Sequence, residues 1–297
     1  MNVLTPTHTS AYDLIDSGNG LKLEQFGSNI VIRPDSNCVW APKLPEAIWK
    51  KATAQYNKNE AGNWEWTLAG TFKTPWHYTW QAPESASRQE RVKITCKLRT
   101  SQSKNIGIFP EQAAHWAWMI EQIQESHYQP KVLNLFGYTG AATLCAAAAG
   151  AEVCHVDASQ SVINWAVENQ KLSKLDEAPI RWIMDDCAKF VAREIKRGVQ
   201  YDAIIMDPPA FGRDNKGNIF EFEKNIYNLL QLCTQVLRPK PLFFIFNGYS
   251  MGYSATVLQN LLADFYPMKT IDAGELQLVE QQSKRQLPSG LYARLGF

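Results

Sequence analysis

Three short stretches of this chain carry apolar runs that stop abruptly at residues able to do chemistry. In LFGYTGAAT, Gly137 and Gly140 bracket a turn between an apolar run and an Ala-rich one. Glycine lets the backbone approach a ligand closely or take positive φ. The free N–H groups of a following helix can face a carboxylate or phosphate. A tight strand-to-helix turn would need the same two glycines, so this pattern alone is ambiguous. Asp157 ends the run AEVCHVD, twenty positions after Gly137. An acid there can accept hydrogen bonds from both ribose hydroxyls. Its plainer alternative is to cap the next helix, a task open to Ser159 or Ser161. In IMDDCAKF, Asp186 is placed to accept from the exocyclic amine of a base, with Asp185 left to cap the helix. The third stretch is YDAIIMDPPAF. Pro208 and Pro209 fix φ and keep a helix from starting at once. Asp207 then stands at the edge of a pocket, and Phe211 offers a face to a flat group. The alternative is a structural loop with an exposed Asp. Together these residues specify a nucleoside-containing ligand beside a flat, polar reacting group.

For such residues to converge they must lie at the carboxyl ends of neighbouring strands in an open parallel sheet. The pattern after residue 90 supplies them. RVKITCKL and NIGIF read as strands and PEQAAHWAWMIEQIQES as a helix. Strands VLNLF, AEVCHVD, IRWIM, YDAIIM and LFFIFN then alternate with helices. That alternation predicts an α/β fold, a parallel sheet covered on both faces. No helix separates ELQLVEQ from LYARLGF, so this last pair is predicted antiparallel. Before residue 90 the composition differs, with six of the ten tryptophans. YDLIDSG, LKLEQFG and NIVIRPD read as short strands, PEAIWKKATAQYN as a helix with Pro45 in its first turn, and QAPESASRQE (81–90) as a linker. We therefore expect an N-terminal β-rich domain over 1–90 and a second domain over 91–297.

The bulk composition narrows the class. A hydrophobic content of 45% over 297 residues supports a full core. No apolar stretch approaches the roughly twenty residues of a membrane span, and MNVLTPTHTSAYDL lacks the features of a signal peptide. The six cysteines are scattered singly, so neither a metal site nor a disulfide framework is indicated, and a reducing cytoplasm is expected. The net charge of +1 counts against a large nucleic-acid footprint. Arg193, Lys196 and Arg197 form either a local basic patch or, more simply, a solvated helix face. Before position 91, eight basic residues face nine acidic ones. The N-terminal tryptophans there, Trp64 and Trp66 among them, supply either a core or a base-stacking surface. His155 reads as core, and His115 either faces a cofactor or packs.

VLNLFGYTGAAT, VDAS, DDCAKF and YDAIIMDPPAF together resemble the class I S-adenosylmethionine (SAM) methyltransferases. Their closest likeness is to the bacterial ribosomal-RNA group that includes the large-subunit cytosine-C5 enzymes. SGNGLKLEQFGSNIVIRP resembles the start of that group's central domain, GIFPEQAAHW its lead-in to the catalytic domain, and SGLYARLGF its final strand. The resemblance implies a Rossmann-like seven-stranded sheet, mostly parallel with the last strand antiparallel, and a smaller N-terminal α+β domain. It implies that Asn134, Phe136, Gly137, Tyr138, Thr139 and Gly140 surround the methionine part of SAM. Asp157, with Ala158 and Ser159, would hold the ribose; Asp186, beside Cys187, the adenine; Gln112 would close over the cofactor.

Two departures matter. The PUA domain that precedes the central domain in many relatives is absent from this sequence. The cytosine-C5 enzymes also need a cysteine nucleophile after the fifth strand, and FFIFNGYSMGYS has Asn247 and Gly248 there. Cys233 falls on the apolar face of its helix and Cys187 beside the expected adenine site. The resemblance thus implies methyl transfer, with ribosomal RNA as the partner, to a base nitrogen or oxygen. In that role Asp207 and the Pro208 carbonyl would accept the hydrogens of an acceptor amine. A small-molecule or protein acceptor, and a non-catalytic binding role, are the alternatives.

Overall fold

Residues 2–6, 11–84, 91–213, 217, 219–249 and 252–297 are described in this computed structural model. After strand β1 (Asn2–Leu4), the N-terminal part runs β2 (Tyr12–Gly18), β3 (Leu21–Phe26), β4 (Asn29–Pro34), α1 (Glu46–Trp49), β5 (Ala54–Lys58), β6 (Trp64–Leu68) and β7 (His77–Gln81). Strands β2 to β6 form a five-stranded sheet in chain order, antiparallel apart from the β4–β5 pair. The expected helix over 45–57 is only the single turn α1. Thr53 instead ties its hydroxyl to the backbone of Ile30, and Tyr56 buries its ring against Trp64 and Trp66, so cross-strand packing overrides helix periodicity. Strand β7 pairs with β8 (Lys93–Lys97), a ribbon that straddles residue 90. Of the expected linker, residues 85–90 lie outside the described residues. NIGIF is a buried loop rather than a strand: Gly107 takes φ +106° with the Trp165 ring pressed against it.

The larger unit continues with a 3₁₀ turn (Pro110–Gln112), α2 (Ala113–Glu125), β9 (Lys131–Leu135), α3 (Ala141–Ala148), β10 (Glu152–Asp157), α4 (Gln160–Leu172), β11 (Ile180–Met184), α5 (Cys187–Lys196) and β12 (Ala203–Met206). Then follow β13 (Phe211–Arg213), β14 (Ile219–Glu221), α6 (Phe222–Val236), β15 (Phe243–Gly248), α7 (Ala255–Ala263), β16 (Asp272–Val279) and β17 (Gln286–Gly296). The main sheet has the order β1-β16-β17-β15-β12-β9-β10-β11. The seven expected strands are present, and β17 runs antiparallel to both β15 and β16. An eighth, β1, adds parallel to β16 at the edge.

Strand direction and burial explain why this sheet forms. In β9, β12 and β15 most residues are apolar and alternate between two cores. Val132, Ile205 and Ile245 face one; Leu133, Ile204 and Phe244 face the other. Asp202, fully buried just before β12, accepts from the Lys131 amide (2.7 Å), Tyr128 Oη (3.1 Å) and Arg238 Nη1 (2.9 Å). The chain order reverses between β9 and β12, the switch point where a crevice opens at the strand ends.

The N-terminal sheet is fastened across this crevice. Leu14 bridges to Glu280, the Gln281 amide donates to Leu14 O (2.8 Å), and Ser17 Oγ donates to Glu280 Oε1 (2.5 Å). Arg285 Nη1 donates to Ser17 O (3.0 Å). Inside the small sheet, Arg33 forms a bidentate pair with the buried Glu24 (2.7 and 2.8 Å). Among the described residues no helix is long and apolar enough to cross a membrane.

Candidate functional site

A cavity of about 1040 Å³ lies between the β9–β12 switch point and the N-terminal sheet. Phe136, Tyr138, Asp157, Ala158, Ser159, Asp186, Cys187, Asp207, Pro208, Pro209 and Phe211 line it, so residues from four strand ends converge as expected. Asn134, Gly137, Thr139 and Gly140 stand behind this lining. Asn134 donates to Thr143 Oγ1 (2.8 Å), and Thr139 Oγ1 donates to Gly107 O (2.5 Å), both from buried positions. The two glycines serve the turn. A Cβ on Gly137 would meet the His155 ring at 2.4 Å, and Gly140 takes φ +86° against Ala166 and Trp182. The left-handed residues that shape the cavity wall are Phe136 (φ 55°) and Tyr138 (φ 51°), on either side of Gly137. Non-glycine residues rarely hold such angles, and the strain, roughly 1–3 kcal/mol each, concentrates at ligand sites.

That backbone aims the Tyr138 amide at Asp157 Oδ2 (3.0 Å), while the Ser159 amide donates to Oδ1 (2.9 Å). Asp157 is thereby fixed at the cavity edge rather than spent as a cap; the cap position of α4 belongs to Ser159. Burial raises the Asp157 pKa despite those two donors. Of the next two acids, the helix cap falls to Asp186 and not, as expected, to Asp185. Asp186 caps α5, accepting from the Lys189 amide (2.9 Å), and still lines the cavity. Asp185 pairs with Arg193. Arg193 and Arg197 are thus tied to Asp185 and Glu194, the solvated-face reading of that basic run.

At the end of β12, Asp207 is half-buried and accepts from Gln112 Nε2 (2.7 Å). Burial pushes its pKa up to about 7, against the Gln112 hydrogen bond. Gln112 therefore holds the loop acid and does not line the cavity itself. Its neighbour Glu111 does, with burial raising its pKa to about 6. Tyr249 closes the same corner, and Phe109 packs between Tyr138 and Tyr249, ring centroids 5.6 Å from each. Sequence reading missed Glu111, Phe109 and Tyr249. The available signal was their adjacency to Gln112 and to the Asn247–Gly248 pair.

Phe211 is 59% exposed at the mouth, on the β13–β14 hairpin that the sequence did not announce. Lys22, Arg33 and Lys104 also line the cavity, together with Asp35 and Glu275. All six cysteines are free and buried, and burial raises the pKa of Cys187 and Cys233. No thiolate nucleophile is on offer. Asn247 is fully buried in β15, beside His115, which packs edge-on against Tyr292 (5.2 Å). His115 and His155 both have pKa values lowered to about 3 by burial and belong to the core.

The sequence pattern of the S-adenosylmethionine-dependent methyltransferases matches residues 71–253. The chain belongs to this family. The methyltransferase cofactor is S-adenosylmethionine, and the cavity fits it in kind: an anchored acid at the second strand end, an aromatic corner and room for a second reactant. The crystal structure of a SAM-dependent methyltransferase from Agrobacterium tumefaciens is similar over 100% of this chain and 93% of its own, at 37% identity and a TM-score of 0.88. A Streptococcus mutans methyltransferase shares the fold (TM-score 0.68, 16% identity, 97% of this chain and 75% of that one). A protein named ribosomal RNA large subunit methyltransferase I, from Enterobacter sp. (strain 638), is 31% identical over 176 residues. That match covers 56% of this chain and 43% of the relative, so the chain spans under half the length of the curated relative it matches.

Proposed function

We propose that this methyltransferase acts on RNA, ribosomal RNA in the first place, at a base nitrogen or oxygen in the cytoplasm. The observation that carries the reading is Asp207, a carboxyl at the end of β12 that shares one cavity with Asp157 and is flanked by the exposed ring of Phe211. In this reading Asp157 holds the ribose hydroxyls, and Asp186 uses the oxygen not engaged in capping to meet the adenine amine. S-adenosylmethionine supplies an electrophilic methyl group on a sulfonium. Asp207 and the Pro208 carbonyl accept the hydrogens of the acceptor and orient its lone pair in line with that methyl. Such positioning supplies much of the rate for a nitrogen or oxygen nucleophile. Phe211 holds the base by stacking, a contribution of roughly 1–3 kcal/mol. The N-terminal sheet, bringing Lys22 and Arg33 to the cavity, is the substrate-recognition unit. The name of the curated relatives supports an RNA acceptor, and the buried cysteines speak against a cytosine-C5 adduct.

The test is incubation of the protein and tritiated SAM with total RNA, ribosomal particles and cell extract from a strain lacking the gene. Label in RNA is expected. Label confined to small molecules or protein would overturn the RNA reading.

A further inference from the structure

Glu111 has no part in the scheme above, yet it sits on the wall that holds Asp207. Its side chain is 5% exposed and lines the cavity. Its neighbour Gln112 donates to Asp207 Oδ2 at 2.7 Å, and the Glu111 and Asp207 carboxyls line the same cavity. Tyr249, half-buried with its hydroxyl out of solvent beside both acids and Gln112, closes that corner. We propose that Glu111 and Asp207 act as one carboxyl pair at the acceptor position, which takes up the proton released by methyl transfer and selects an acceptor amine with two N–H bonds. The proposal rests on the methyltransferase reading above and narrows its acceptor to an amine.

The step balances. The amine nitrogen forms a bond to the methyl carbon as the carbon–sulfur bond breaks, and the bonding pair leaves with sulfur. The nitrogen then carries one proton too many. The ionised member of the pair takes it and later returns it to water. Two carboxyls in one low-dielectric corner resist double ionisation. Burial raises both values, to about 6 for Glu111 and about 7 for Asp207, and the Glu111 charge adds to the rise at Asp207. The charged and titratable neighbours leave this role open. Lys22 and Arg33, which favour the ionised Glu111, are already held by Glu24 and Asp35. Tyr12, Tyr78 and Tyr249 face it as neutral phenols with raised pKa values. Glu275, on β16 against the 3₁₀ turn, adds only a like charge at the cavity wall.

Two measurements test the pair. In the first, carboxyl titrations are followed by NMR on the ¹³C-labelled full chain with sinefungin bound, which needs no acceptor. Asp207→Asn is expected to lower the Glu111 midpoint, and Glu111→Gln the Asp207 midpoint. Independent titrations would overturn the pair whatever the substrate. In the second, RNA methylation is measured across pH 5–9. Glu111→Gln is expected to lower kcat roughly 10²-fold and to move the remaining acid limb to lower pH. Glu111→Asp should recover part of the rate, and SAM affinity should hold within about threefold. A loss of SAM affinity in Glu111→Gln would assign Glu111 to the cofactor instead, and an unchanged rate profile would remove it from the reaction. Coupled titrations with no label in any RNA would sink the RNA reading and leave the pair standing.

Discussion

The two acids proposed for the acceptor position and the acid proposed for the ribose owe their positions to different local devices, and single substitutions separate them. Asp157 accepts from two backbone amides, so Asp157→Ala should cost about 1–3 kcal/mol of stability and weaken SAM binding by about tenfold or more, read by calorimetry. Asp207→Ala should do the reverse, with SAM affinity nearly unchanged and methyl transfer down roughly 10²–10³-fold. Gly137→Ala should destabilise by about 1–3 kcal/mol in a denaturant titration, because the His155 ring fills the space a Cβ needs. At this scale the sequence was readable wherever a residue type and a strand end coincide, as at Asp157 and Asp207. It was unreadable where geometry decides between two equal candidates. DDC offers two adjacent acids, and only the helix start, set by tertiary packing, makes Asp186 the cap and gives Asp185 to Arg193.

Among the elements, the parallel strands and their helices were legible because burial on both faces writes long apolar runs into the sequence. The short ones were not. Strand β1 is three residues long, and its partner shows why it docks there: a Cβ on Gly274 would stand 2.0 Å from Asn2 O. Gly274→Val should therefore detach β1 while leaving the cavity whole. Hydrogen exchange should speed up in β1 and β16, and SAM affinity should not change. The β13–β14 hairpin was hidden for a related reason. Two prolines announce that a helix cannot begin, and they carry no information on what replaces it. Strand β5 was misread as helix because AQYNK lacks alternation strong enough to outweigh the helix-like run before it, and only Tyr56 packing on Trp64 and Trp66 settles its state.

For the whole molecule, the acids of the cavity and those of the scaffold respond to pH in opposite senses. Glu24, paired with Arg33, has a lowered pKa. Its stabilisation is present above the unfolded value near 4.5 and is lost as pH falls below it. Asp207, Glu111 and Asp157 have raised values. The folded state then binds more protons than the unfolded one between about pH 4 and 7, so stability declines as pH rises through that window. Melting curves of the ligand-free protein should show this decline, and Asp207→Asn should flatten it, with a higher melting temperature than the wild type at pH 8. An unchanged slope would place Asp207 in a wetter site. The composition shift near residue 90 was visible in the sequence, whereas the way the two halves meet was not, because it depends on partners as distant as Ser17 and Glu280. That junction has a consequence for selectivity. The Leu14 bridge, the Glu280 carboxylate and Arg285 tie the roof to the turn between β16 and β17. In the proposed scheme, an acceptor entering under such a tied roof would be sorted at the carboxyl corner, with little binding energy spent on closing the cavity.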